Sequence, residues 1–194
     1  MKRKHVGFRT IFFGIIAIGL IASSLALPVL AAFKTGDAPN GYRGTLDVGS
    51  AFSFIFGFKA KVVTTIGVGE AVTSMTSYVN VPLSLYPIVS YGLYVCGMAF
   101  TVASFVLSIA KRKGAAIAMS VLCFSSLIAG SVVSLLSLEG IVSSFLSGAS
   151  IEETKAFISS SNAYLGDGFK VGAILSFVAA PISLLSAFYA PKRD

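Results

Sequence analysis

The chain has no tryptophan, one histidine, two cysteines and eight acidic residues among its 194, and only 12% of it is charged. Each shortage excludes something. A soluble domain of this length needs charged surface to cover its core, and 55% hydrophobic residues with a mean hydropathy of +0.87 place the chain outside the soluble globular range. The lone histidine, His5, lies in the N-terminal tail. An intramembrane metalloprotease needs buried histidine and carboxylate ligands, which this chain does not supply. Cys96 and Cys123 both fall in apolar stretches, so the exposed segments must hold together without disulfides. No asparagine opens an Asn-x-Ser/Thr sequon. These absences fit a bacterial plasma membrane.

Catalytic signatures are also missing. Gly67-Val-Gly69 lacks the third glycine and the helix of a dinucleotide fold. There is no Gly-x-Ser-x-Gly elbow, no phosphate-binding loop with lysine and no paired-cysteine metal motif. No catalytic, cofactor-binding or metal-ligating residue is therefore assigned, and the chain is not expected to be an enzyme.

What it does have is four charge-free stretches, 10–33, 86–110, 114–138 and 171–191. A helix rises about 1.5 Å per residue and the hydrocarbon core is about 30 Å thick, so about 20 apolar residues cross it. The expected fold is an all-α integral membrane protein, a bundle of four transmembrane helices. None of the four stretches contains Asp, Glu, Lys, Arg or His, which disfavours proton relays and ion-coupled transport but leaves open a pore lined by Ser, Thr and backbone.

Charge placement orients the spans. Nine of the fifteen basic residues lie in three short segments: Lys2, Arg3, Lys4 and Arg9; Lys111, Arg112 and Lys113; Lys192 and Arg193. The two long connections, 34–85 and 139–170, carry six basic and seven acidic residues, close to balance. The positive-inside rule puts both termini and the 111–113 turn in the cytoplasm and both long connections outside. This placement argues against nucleic acid as the target of the +7 net charge; the expected partners are the lipid bilayer and a protein partner or second copy. Residues 1–32 combine a basic start, an apolar middle and a small-residue end, like a signal peptide. The apolar run is longer than such peptides use, which favours a retained helix, with Pro28 kinking or ending it.

Within 34–85, the cluster Thr35 to Gly41 is rich in turn formers. Phe52, Phe54, Phe56 and Phe58 alternate with smaller residues, a strand period with one aromatic face. Residues 59–68 and 78–86 supply two more extended runs, so a small antiparallel sheet is expected on the outer helix ends. The phenylalanines read as core beneath that sheet, as a partner-binding face, or as an edge dipping into the outer leaflet. A competing assignment makes 51–58 or 71–87 a re-entrant segment. The 139–170 connection reads as a short helix. Ser150 and Glu153 form a capping box, Ile151, Phe157 and Ile158 its apolar side, and Gly166-Asp-Gly168 stops it. Its acidic residues Glu139, Glu152, Glu153 and Asp167 lack the regular spacing of a calcium loop and read as a solvated face.

Small residues recur every four positions: Gly19 and Ser23; Gly97 and Thr101, then Ser104 and Ser108; Ser126, Gly130 and Ser134; Gly172, Ser176 and Ala180. In lipid such stripes let helix backbones approach closely. They are expected to pack the bundle, with a partner helix as the other use. Pro181 should bend the fourth span. Four spans with cytoplasmic ends, a large β-rich first outer segment and a smaller second one resemble the claudin-like tetraspan arrangement. The resemblance is one of layout across the whole chain. Gly92-Leu-Tyr-Val-Cys96 echoes part of the claudin signature, but inside span two and without the tryptophan. The function expected from all this is a non-enzymatic structural, adhesion or complex-assembly component. The alternative is a small channel or transporter subunit that forms a pore by oligomerisation.

Overall fold

Pro28 ends the first span early. In the computed structural model, which describes residues 7–36, 47–68, 71–146 and 149–191, α1 runs Phe8–Ala26 and a 3-10 turn, Leu27–Val29, follows with the proline in its first positions. A proline has no N–H to continue the helix ladder. The chain then extends as β1, Ala31–Thr35. The stretch 10–33 is therefore helix for only part of its length, and its end belongs to a sheet. The basic residues at 2–4 and 192–193, His5 and most of the turn-former cluster lie outside the described residues.

The phenylalanine alternation does not form a strand. After β2, Asp47–Ser50, the chain makes a short helix α2, Ala51–Phe56. The Ser50 hydroxyl caps it by accepting the Ser53 N–H at 3.3 Å. Gly57, at φ 72°, ends it in a backbone region that L side chains avoid. Phe58 opens β3, Phe58–Val68, which pairs residue for residue with β4, Ala71–Val81, in an antiparallel ribbon. The second extended run thus lies earlier than the expected 78–86 and stops before Pro82. Neither re-entrant assignment fits a short helix followed by a ribbon.

The remaining spans are α3, Leu85–Ile109, α4, Lys113–Leu135, and α7, Asp167–Phe188. With α1 they make four helices long and apolar enough to cross a membrane. The third span ends three residues before the expected position 138, and the chain restarts at once as α5, Leu138–Phe145. The fourth begins four residues early: Gly166 is its N-cap and Asp167 lies in its first turn. Gly166-Asp-Gly168 opens α7 rather than stopping the preceding helix, α6, which runs Ile151–Ser160. Pro181 lies inside α7, which continues past it.

The helices close a ring in which α1 packs on α3 and α7, and α4 packs on the same two. Between α3 and α4 the connection is three residues long. Lys111 takes a left-handed conformation (φ 62°), and Arg112 N–H bonds the Leu107 carbonyl at 2.9 Å. At the opposite end both long connections contribute to one sheet in the order β2-β1-β5, with β5, Ala163–Leu165, pairing antiparallel to β1. Phe33 sits opposite both Val48 and Leu165. Beneath this sheet Ala32, Phe33, Phe54, Val81, Ile141 and Val142 share a buried core with Leu165 and Phe169.

Candidate functional site

The four phenylalanines are split by the fold. Phe54 is fully buried against Phe33 and Phe58, at 6.4 and 5.1 Å between ring centroids. Phe52 packs edge-on against Tyr91 of α3 at 5.2 Å. Phe56 alone is open, 80% exposed at the end of α2. A six-residue helix spreads its side chains around an axis, so the single aromatic face that a strand would give does not form. Three of these residues hold the sheet end together and one faces outward.

Most of the small-residue stripes face the bundle interior. Gly97 and Gly130 lie where a Cβ would run into Leu127 and Tyr94, which lets α3 and α4 approach closely. Thr101, Ser134, Gly172, Ser176 and Ala180 are buried, as are Ser104 and Ser108, while Ser126 is half-buried. Gly19 and Ser23 are exposed. The inward stripe of α1 is Thr10, Gly14, Ala17, Ile21 and Ser24, offset from the expected pair. Four-residue spacing identifies a stripe but not the side of the helix that carries it.

The interior combines a small apolar cluster, Ile21, Tyr94, Cys123, Leu127, Ala179 and Ala180, with a column of hydroxyls. The Ser90 and Ser134 hydroxyls pair at 2.7 Å, and Ser131 O–H donates to the Ala173 carbonyl at 3.0 Å. Thr101 Oγ1 meets Cys123 Sγ at 2.9 Å. Ser104 O–H donates to the Ala116 carbonyl at 2.9 Å and Ser186 O–H to the Thr10 carbonyl at 3.0 Å. Large apolar side chains such as Ile15, Val102, Leu122, Ile174 and Phe177 face outward. A protein surrounded by water buries those and exposes hydroxyls, whereas one surrounded by lipid can do the reverse.

Among the described residues, β3 and β4 pair only with each other. The ribbon is a two-stranded sheet of its own, and neither of its outer edges pairs with another described strand. Its base is anchored where Val81 enters the sheet-end core and Ser84 N–H bonds the Phe54 carbonyl at 2.8 Å. At about 3.3 Å per residue its eleven-residue strands extend about 36 Å. Such edges are templates for a further strand.

Four helices long and apolar enough to cross a membrane, with large apolar side chains outward and many hydroxyls buried between them, define a multi-pass membrane protein with a helical bundle. No known protein family, curated protein or solved structure matches the chain.

Proposed function

We propose that this is a non-enzymatic complex-assembly component of the plasma membrane that binds a protein partner at its sheet end. The observation that carries the reading is the β3–β4 ribbon, whose outer edges pair with no strand among the described residues and offer backbone donors and acceptors for an added one. β4 holds no charged residue from Ala71 to Val81, whereas β3 carries Lys59 and Lys61. Edge lysines are a common guard against strand addition, so β4 is the receptive side. Phe56 supplies an open aromatic side chain at the same end. In this reading the sheet end is extracytoplasmic, as in the claudin-like tetraspan layout.

The pore-forming alternative needs polar residues of several subunits to converge on a shared axis. The hydroxyl column lies inside one bundle and bonds largely to its own helices, which weighs for assembly over conduction. A photoreactive residue at Phe56 or Met75 should capture a discrete protein in intact membranes. Ser74→Lys, which adds an edge charge, should abolish capture from Met75. Adducts with lipid alone, or intramolecular products alone, would count against the proposal.

A further inference from the structure

Tyr86, at the start of α3, separates two hollows of different chemistry. On one side a groove of about 270 Å³ runs between α3 and α4, lined by Leu85, Tyr86, Val89 and Val133. On the other a pocket of about 240 Å³ opens beside α5 and α6, lined by Tyr86, Glu139, Gly140, Ser143, Ile151 and Thr154. The Tyr86 ring stands against Gly140, where any Cβ would run into it. Ser84 O–H reaches the Gly140 carbonyl at 3.4 Å and holds the two segments together.

From this geometry we infer a binding site for one membrane lipid whose head group carries an ammonium. The groove is continuous with the outward apolar faces of α3 and α4, the surface that four membrane-crossing helices present to acyl chains. An acyl chain in the groove therefore keeps its ordinary surroundings and adds contacts with Leu85, Val89 and Val133. Its head then falls at the end of the bundle, beside the polar pocket. Glu139 is the sole charged side chain lining that pocket among the described residues. A carboxylate there attracts an ammonium and repels a head with net negative charge. Ser143 adds a hydroxyl already bound to the Ala149 carbonyl at 3.5 Å. Thr154, 3% exposed, lines the pocket and has a buried hydroxyl without a hydrogen-bond partner. Exposed Leu85 and Ile151 flank the pair of hollows, as an amphiphile spanning both would require.

The site is tested on the full chain in mild-detergent micelles. Phospholipids of one acyl composition with ethanolamine, choline or glycerol heads are added and retained adducts counted by native mass spectrometry. The ethanolamine lipid should be retained about fivefold over the glycerol lipid, the size expected for an ion pair open to solvent. Glu139→Lys should reverse that order, and Val89→Trp, filling the groove at an exposed position, should strip all three. Circular dichroism verifies that each variant keeps its helices. Equal retention of the three heads would mean a nonspecific lipid belt and would overturn the site. An unchanged order in Glu139→Lys, or full retention in a folded Val89→Trp, would also overturn it.

Discussion

Gly166 has no space for a side chain: a Cβ there would run into the Ala31 carbonyl, and one at Gly168 would meet the Leu27 carbonyl at 2.6 Å. Both obstacles are backbone and cannot rotate away. Gly166→Ala should therefore cost about 1–3 kcal/mol, as overpacking does, and lower the midpoint of thermal unfolding in detergent. Gly19→Ala, where nothing lies within 4 Å, is the control and should leave the midpoint level or slightly raised. An unchanged midpoint in Gly166→Ala would mean that the Ala31 carbonyl does not crowd Gly166 and that β1 stands off from α7. The sequence marks Gly166-Asp-Gly168 as a break, because glycine beside a short acid is turn chemistry in any context. It does not tell whether the break ends one helix or begins the next, since that depends on a strand more than a hundred residues earlier. Lys34, which bonds Asp167 at 2.5 Å, is part of the same distant arrangement.

Elements differ in how plainly they can be read. The four spans are legible because length and charge depletion act over twenty residues, and no single misread position changes the sum. The α6 cap is legible because its signal is local. Ser150 accepts the Glu153 N–H at 3.2 Å, and Glu153 accepts the Ser150 N–H at 2.8 Å. Helix α2 is misread because alternating phenylalanines favour a strand, while Ser50, Gly57 and the packing of Phe52 and Phe54 impose one and a half turns of helix. The capping box makes α6 sensitive to acid. Hydrogen bonds from the Ser150 backbone N–H and then its hydroxyl hold the Glu153 carboxyl below its usual range. The folded form thus binds this proton more weakly than the unfolded one. Its contribution is complete above the unfolded value and is lost as pH falls through the lowered folded value. Acidification from neutral pH to the usual glutamate range, about 4.3, should leave the backbone chemical shifts of the first turn of α6 unchanged, and further acidification should show fraying. In Ser150→Ala that turn should fray at neutral pH already, at a cost of about 1 kcal/mol, and the acid response should shrink. A first turn that stays ordered across the range would show that the box does not hold α6.

Across the whole molecule, charge is sorted by end. Arg9 stacks over Tyr189 at 5.5 Å, and Lys113 Nζ donates to the Phe188 carbonyl at 2.6 Å, so both meet the end of α7 near the 111–113 turn. A cation at a helix C-terminus is favourably placed against the dipole, and three adjacent cations cannot lie in the hydrocarbon core. If this end is cytoplasmic, a cysteine at Arg112 should resist a membrane-impermeant thiol reagent in intact cells while one at Ser160 reacts. Labelling of both, or of Arg112→Cys alone, would overturn this orientation. The pairing of β1 with β5 has a further consequence, for the order of events during synthesis. Lys34 and Asp167 are 133 residues apart, so β1 leaves the ribosome long before its partner exists. The first helix must wait in the bilayer with its trailing strand paired on one side at most, while α3 and α4 are threaded behind it. Three residues, Ala163–Leu165, then seal the sheet as α7 enters the membrane. A nascent chain stalled before residue 163 should therefore hold its spans in place yet leave β1 open to protease, and release of the stall should close it.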